Sequence, residues 1–106
     1  MENLSDRDQS INKYQVTILF YMDGEFMHLV PSHRLYINSL IEQGVIDNYA
    51  VSMETQRTWM IINAVDKKEV EAYLKKSPLY DYWTVEIDSL YVYDSQAYRL
   101  PALQLN

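Results

Sequence analysis

From Tyr14 the chain carries apolar side chains on both sides of an extended run. In YQVTILFYM, Val16, Ile18 and Phe20 fall on one face and Thr17, Leu19 and Tyr21 on the other. A period of two, rich in β-branched and aromatic residues, predicts a strand, and Asp23-Gly24 ends it. Between Pro31 and Gln43 the period changes: Tyr36, Ile37, Leu40 and Ile41 recur at three- and four-residue spacings. That spacing predicts a helix of about three turns, with Pro31 suited to its first turn and Gly44 to its C-terminal cap. Residues 45–54 and 57–64 read as two strands around Thr55-Gln56, a hairpin whose turn lacks the Gly or Asn that tight turns favour. Asp66 with Glu69 forms the aspartate version of a capping box, and Val70, Tyr73 and Leu74 line one side of a second helix ending near Ser77-Pro78. Trp83, Val85 and Ile87 then alternate with Thr84, Glu86 and Asp88 in a last strand expected to run on through Tyr91 and Val92.

The order β-α-β-β-α-β predicts an α+β, ferredoxin-like domain: a four-stranded antiparallel sheet with both helices on one face. Two helices cover one side of such a sheet. Strand one is apolar on both faces, and Trp59 and Ile61 lie opposite Met60 and Ile62, so the other side is expected to expose a contiguous apolar patch. A second copy of the same sheet would cover it, giving a homodimer or higher homo-oligomer of the dimeric α/β-barrel kind. Residues 1–12 read as a flexible leader and 13–94 as the domain. Residues 95–106, with Tyr98, Leu100, Leu103 and Leu105, read as a tail packing on its own or a neighbouring subunit.

Composition narrows the function. A chain of 106 residues suits one domain, and a formal net charge of −6 argues against a nucleic-acid partner. There is no cysteine and no apolar run of membrane-spanning length, which fits a soluble cytoplasmic protein without a membrane partner. Glycine-rich phosphate loops and a G-x-S-x-G elbow are missing. His28, His33 and Asp23 match no ligand spacing, so no metal is expected.

The stretch SPLYDYWTVEIDSL, residues 77–90, resembles the segment that closes the muconolactone isomerase fold, and from Gly44 to Leu90 the two patterns run together without a gap. PSHRLYINSLIEQG, residues 31–44, is similar to the Pro-x-His-bearing helix and following glycine of YciI-like proteins. Both resemblances imply the same dimeric α/β-barrel fold and a small acidic or aromatic-derived metabolite bound between sheet and helices, with no metal and no organic cofactor. Muconolactone isomerase shifts a double bond within a lactone by moving a proton. The acidic residue on its first helix corresponds here to His33.

The candidate catalytic residues are His33, Glu86 and Asp88. His33 shares a helical stripe with Tyr36, Ile37 and Leu40 and should point at the sheet, either as an acid/base or as a buried, hydrogen-bonded structural histidine. Glu86 and Asp88 share the face opposite Trp83, Val85 and Ile87. There they either perturb each other's ionisation and carry a proton, pair across an interface with Arg57 or Arg99, or sit at a solvated sheet edge. Tyr80 and Tyr82, with Arg57 and Trp59, are the candidate substrate-binding residues, although tyrosine is equally a core and interface residue. Two functions are consistent with these residues: a cofactor-free isomerase or related enzyme moving a proton on a small lactone or keto acid, or a non-catalytic small-molecule-binding or oligomerisation module. Convergence of His33, a strand-four acid and a tyrosine on one cavity would favour the enzyme.

Overall fold

The structure is a computed structural model and describes residues 10–95. Four strands, β1 (Asn12–Phe20), β2 (Ile46–Ser52), β3 (Arg57–Ala64) and β4 (Trp83–Ser89), form one antiparallel sheet in the order β2-β3-β1-β4. Two helices, α1 (Phe26–Glu42) and α2 (Lys67–Lys75), pack on one face, and a single turn of 3-10 helix, Tyr80–Tyr82, leads into β4. This is the ferredoxin-like arrangement expected. The leader expected over 1–12 and the tail expected over 95–106 lie outside the described residues, apart from residues 10–12 and Ser95; Asn12 already belongs to β1.

The core forms where the alternation of each strand meets the helical stripes. Val16 on β1 is in register with Met60 on β3 and Ile87 on β4, and Ile18 with Thr58 and Val85. Ile37 and Leu40 from α1, and Val70 and Leu74 from α2, close over them. Asp66 caps α2 by accepting from the Glu69 N–H at 2.8 Å, and Glu69 reaches back to the Val65 N–H. Gly44, at φ +79°, takes the left-handed turn that ends α1, with the Gly44 and Val45 N–H groups returning to Ile41 and Leu40 carbonyls.

The start of α1 and the end of β4 differ from expectation. α1 begins at Phe26 rather than Pro31, because Asp23 Oδ1 accepts from the N–H groups of Glu25 and Phe26 and starts the helix early. Pro31 therefore sits inside α1, where it gives up one backbone hydrogen bond. β4 stops at Ser89, and Tyr91 and Val92 are exposed beyond it. In the β2–β3 connection Gln56 itself takes the left-handed conformation, at φ 55°, and its carbonyl accepts from the Phe20 N–H.

A shift in β2 decides which of its side chains reach the helices. The pairing slips between Ile46 and Asn48, a bulge at Asp47. Ile46 and Tyr49 consequently both face the helices although they are three residues apart. The opposite face of the sheet is less apolar than expected: Leu19, Trp59 and Ile61 form its centre, but Glu86 and Asp88 stand along the β4 side, opposite Thr17 and Gln15. At its β2 end the chain after β4 returns over this face. Tyr93 Oη accepts from Asn48, and the Lys13 ammonium, paired with Asp47 at 2.6 Å, lies over the Tyr93 ring.

Candidate functional site

Between the first half of α1 and the sheet lies a cavity of about 130 Å³. Phe20, Phe26, Val30, Leu79 and Trp83 wall it, Phe20 and Phe26 stacking at 5.3 Å. The exposed side chains of Met27, Val51 and Met53 form its open rim. An apolar cavity of about 150 Å³ holds benzene, so this one, open at its rim, is close to the size of a six-membered ring.

Its polar residues are His33, Arg34, Tyr49 and Thr58. His33 is 2% exposed, and both ring nitrogens are engaged: Nδ1 with Ser77 Oγ at 2.8 Å and Nε2 with Tyr49 Oη at 2.7 Å. Ser77, also buried, accepts from the Leu79 N–H at 3.0 Å. If its own proton is to be used rather than stranded, it donates to His33 Nδ1; His33 Nε2–H then donates to Tyr49, and the Tyr49 hydroxyl proton is left for the cavity. Burial, and secondarily the charge of Arg34, holds the His33 pKa down at about 4, so the imidazole is neutral at neutral pH. Burial raises the Tyr49 phenol, while the charge and hydrogen bonding of Arg34 act in the opposite direction. The Arg34 guanidinium lies 5.7 Å from the Tyr49 ring centroid, and among the described residues it has no carboxylate partner.

The other expected site residues are placed elsewhere. Glu86 and Asp88 are exposed on the far face of the sheet, as are Arg57 and half-buried Trp59, and among the described residues no ion pair joins either acid to Arg57. Within one subunit they do not meet His33. Tyr82 stands behind the cavity wall: its ring packs edge-on against Phe26 at 5.2 Å and its hydroxyl donates to Asp23 at 2.8 Å, which pushes the phenol up to about 12 and holds the Asp23 carboxyl below its usual range. Tyr80 packs on Trp83 and lines a second, more polar cleft of about 370 Å³ between α2 and the edge of β4. His28 is exposed next to Glu25, and among the described residues no group of three metal-ligating side chains converges.

Tyr49, Arg34 and Ser77 are the residues that sequence reasoning missed. Tyr49 is hidden by the bulge, since strict alternation from Ile46 puts it on the other face. Arg34 and Ser77 carry no periodic signal, but each adjoins a feature that does: Arg34 follows His33, and Ser77 lies two residues past the end of α2.

The chain is an α+β, ferredoxin-like domain with a cavity under its first helix and a buried histidine in the cavity lining. The model of the muconolactone delta-isomerase family matches residues 15–96, from β1 to beyond β4, and the chain belongs to that family. No curated protein matches it. Among the described residues no helix is long and apolar enough to cross a membrane.

Proposed function

We propose that the protein binds a small lactone or keto acid in the cavity between α1 and the sheet and shifts a proton on it without a cofactor, as an isomerase or related enzyme. The observation that carries this reading is the chain Ser77–His33–Tyr49, which ends in an otherwise apolar, ring-sized cavity beside Arg34. His33 belongs to this site as a neutral imidazole that reaches the ligand through Tyr49. Tyr82 supports the wall by fixing Phe26 and the start of α1.

Glu86, Asp88, Arg57 and Trp59 belong, in this reading, to a face that meets a second copy of the sheet. Leu19 and Trp59 would supply the apolar contact. The acids would then stand between the two sheets, where Arg57 of the facing copy is their natural counter-charge.

A second reading, a module that binds without turnover, draws on one observation: none of the described residues lining the cavity is a carboxylate. One assay separates the two. A β,γ-unsaturated γ-lactone, mixed with the protein and followed by ultraviolet absorbance, is expected to give its conjugated isomer well above the buffer rate, and His33→Leu to lower that rate at least about tenfold. Saturable binding of the lactone at the buffer rate would select the binding module. Neither binding nor turnover, with lactone or keto acid, would refute both readings.

A further inference from the structure

We infer that the Tyr49 hydroxyl and the Arg34 guanidinium form an oxyanion-binding corner, with Tyr49 the group that touches the charged oxygen of the ligand and His33 a positioning residue behind it. The inference rests on the reading that the cavity is the ligand site. It adds which oxygen chemistry the site takes: an enolate or phenolate oxygen on a compact ring.

The inferred tautomer is the one that uses the Ser77 proton: Ser77 is buried, accepts from the Leu79 N–H, and in this arrangement donates to His33 Nδ1, 2.8 Å away. His33 Nε2–H must then donate to Tyr49 Oη, 2.7 Å away. With that acceptor site filled and Arg34 beside the phenol, the hydroxyl proton of Tyr49 is the remaining donor of the chain, and the side open to it is the cavity. A phenol that receives hydrogen bonds on its oxygen is a stronger donor through its proton. Apolar walls strengthen that donor's pull on an anionic oxygen.

Charge points the same way. Arg34 lines the cavity without a carboxylate partner among the described residues, and no described carboxylate lines the cavity, so an oxyanion there meets a cation and no like charge. His33 stays neutral beside that cation, which keeps it a hydrogen-bonding support. Thr58, the other polar residue of the lining, is buried at the β1–β3 junction.

Two ring-sized probes test the corner in the full chain: 4-nitrophenol, whose phenolate is read by its visible absorbance, and nitrobenzene, which has the same ring and no ionisable oxygen. The native protein is expected to bind both, to prefer the phenolate by about tenfold or more, and to ionise bound nitrophenol at lower pH than the free probe. Tyr49→Phe is expected to lose about tenfold or more of the phenolate affinity and to keep nitrobenzene affinity within about twofold. His33→Gln retains an N–H for Tyr49 and should keep most of the phenolate preference, whereas His33→Leu should lose it. Thermal unfolding of each variant checks that the fold is intact. Phenolate binding by Tyr49→Phe equal to native would overturn the inference, as would a native protein that binds nitrobenzene without preferring the phenolate; in both cases the cavity reading survives. A native protein that binds neither probe overturns the inference together with that reading.

Discussion

Lowering the pH from 7 to 4 is expected to remove about 2–3 kcal/mol of folding stability through His33 alone. The ring is held near 4 in the folded protein against an ordinary value of 6.5. Below 6.5 the unfolded chain binds a proton that the folded chain refuses. Stability is therefore fully present above 6.5, declines by about 1.4 kcal/mol per pH unit through the window, and levels off near the folded value. Asp23, whose pKa is lowered chiefly by the Tyr82 hydroxyl, acts in the same direction at still lower pH. Urea unfolding at a series of pH values reads the slope, and in His33→Gln it should be largely absent. A native protein equally stable at pH 7 and pH 4 would show that His33 is solvated and not bonded between Ser77 and Tyr49. At the alkaline end the sign reverses: Tyr36, Tyr49, Tyr73 and Tyr82 are all raised, so the unfolded chain releases protons first and stability falls as pH rises past about 10.

Met60→Ala is expected to cost about 2–5 kcal/mol, a large part of the ~5–15 kcal/mol that holds a domain of this size folded. Met60 is 1% exposed at the middle of β3, in register with Val16 on one side and Tyr49 on the other. Truncating it removes contacts from both neighbours in a place where a four-stranded sheet under two helices cannot easily collapse. The midpoint of urea unfolding should fall with little change in slope. A cost below about 1 kcal/mol would mean that β3 is not the centre of the sheet. Because Tyr49 is the direct neighbour of Met60 on the helix side, the same void should also loosen the Tyr49–His33 contact.

Much of this architecture was legible because each strand that matters, except one, keeps its period. The alternation from Trp83 to Asp88 put Val85 and Ile87 against the helices and Glu86 and Asp88 away from them, and the register with Thr17 and Gln15 agrees. The Asp66–Glu69 pair and Gly44 marked helix ends because each meets a local backbone need. β2 broke the rule. One extra residue at Asp47 reverses which side chains face the helices, and a bulge has no mark in composition, so Tyr49 stayed invisible while His33, on an unbroken helical stripe, did not. The start of α1 was missed for a related reason: Asp23 reads as a turn residue, and Pro31 as a first-turn residue, unless it is known that Asp23 also caps Glu25 and Phe26. The expected meeting of His33 with the strand-four acids required sheet and helix faces to be shared, and within one subunit the sheet stands between them.

Every role proposed for Tyr49, Arg34 and His33 depends on a small carbonyl compound binding between α1 and the sheet. Titration of the ¹⁵N-labelled protein with a β,γ-unsaturated γ-lactone, followed by backbone amide shifts, locates it directly. Saturable changes are expected at Phe26, His33, Tyr49, Leu79 and Trp83 around the cavity, with Thr17, Trp59 and Glu86 on the far face unmoved. Changes centred on the far face, or no saturable changes at all, would contradict binding in the cavity.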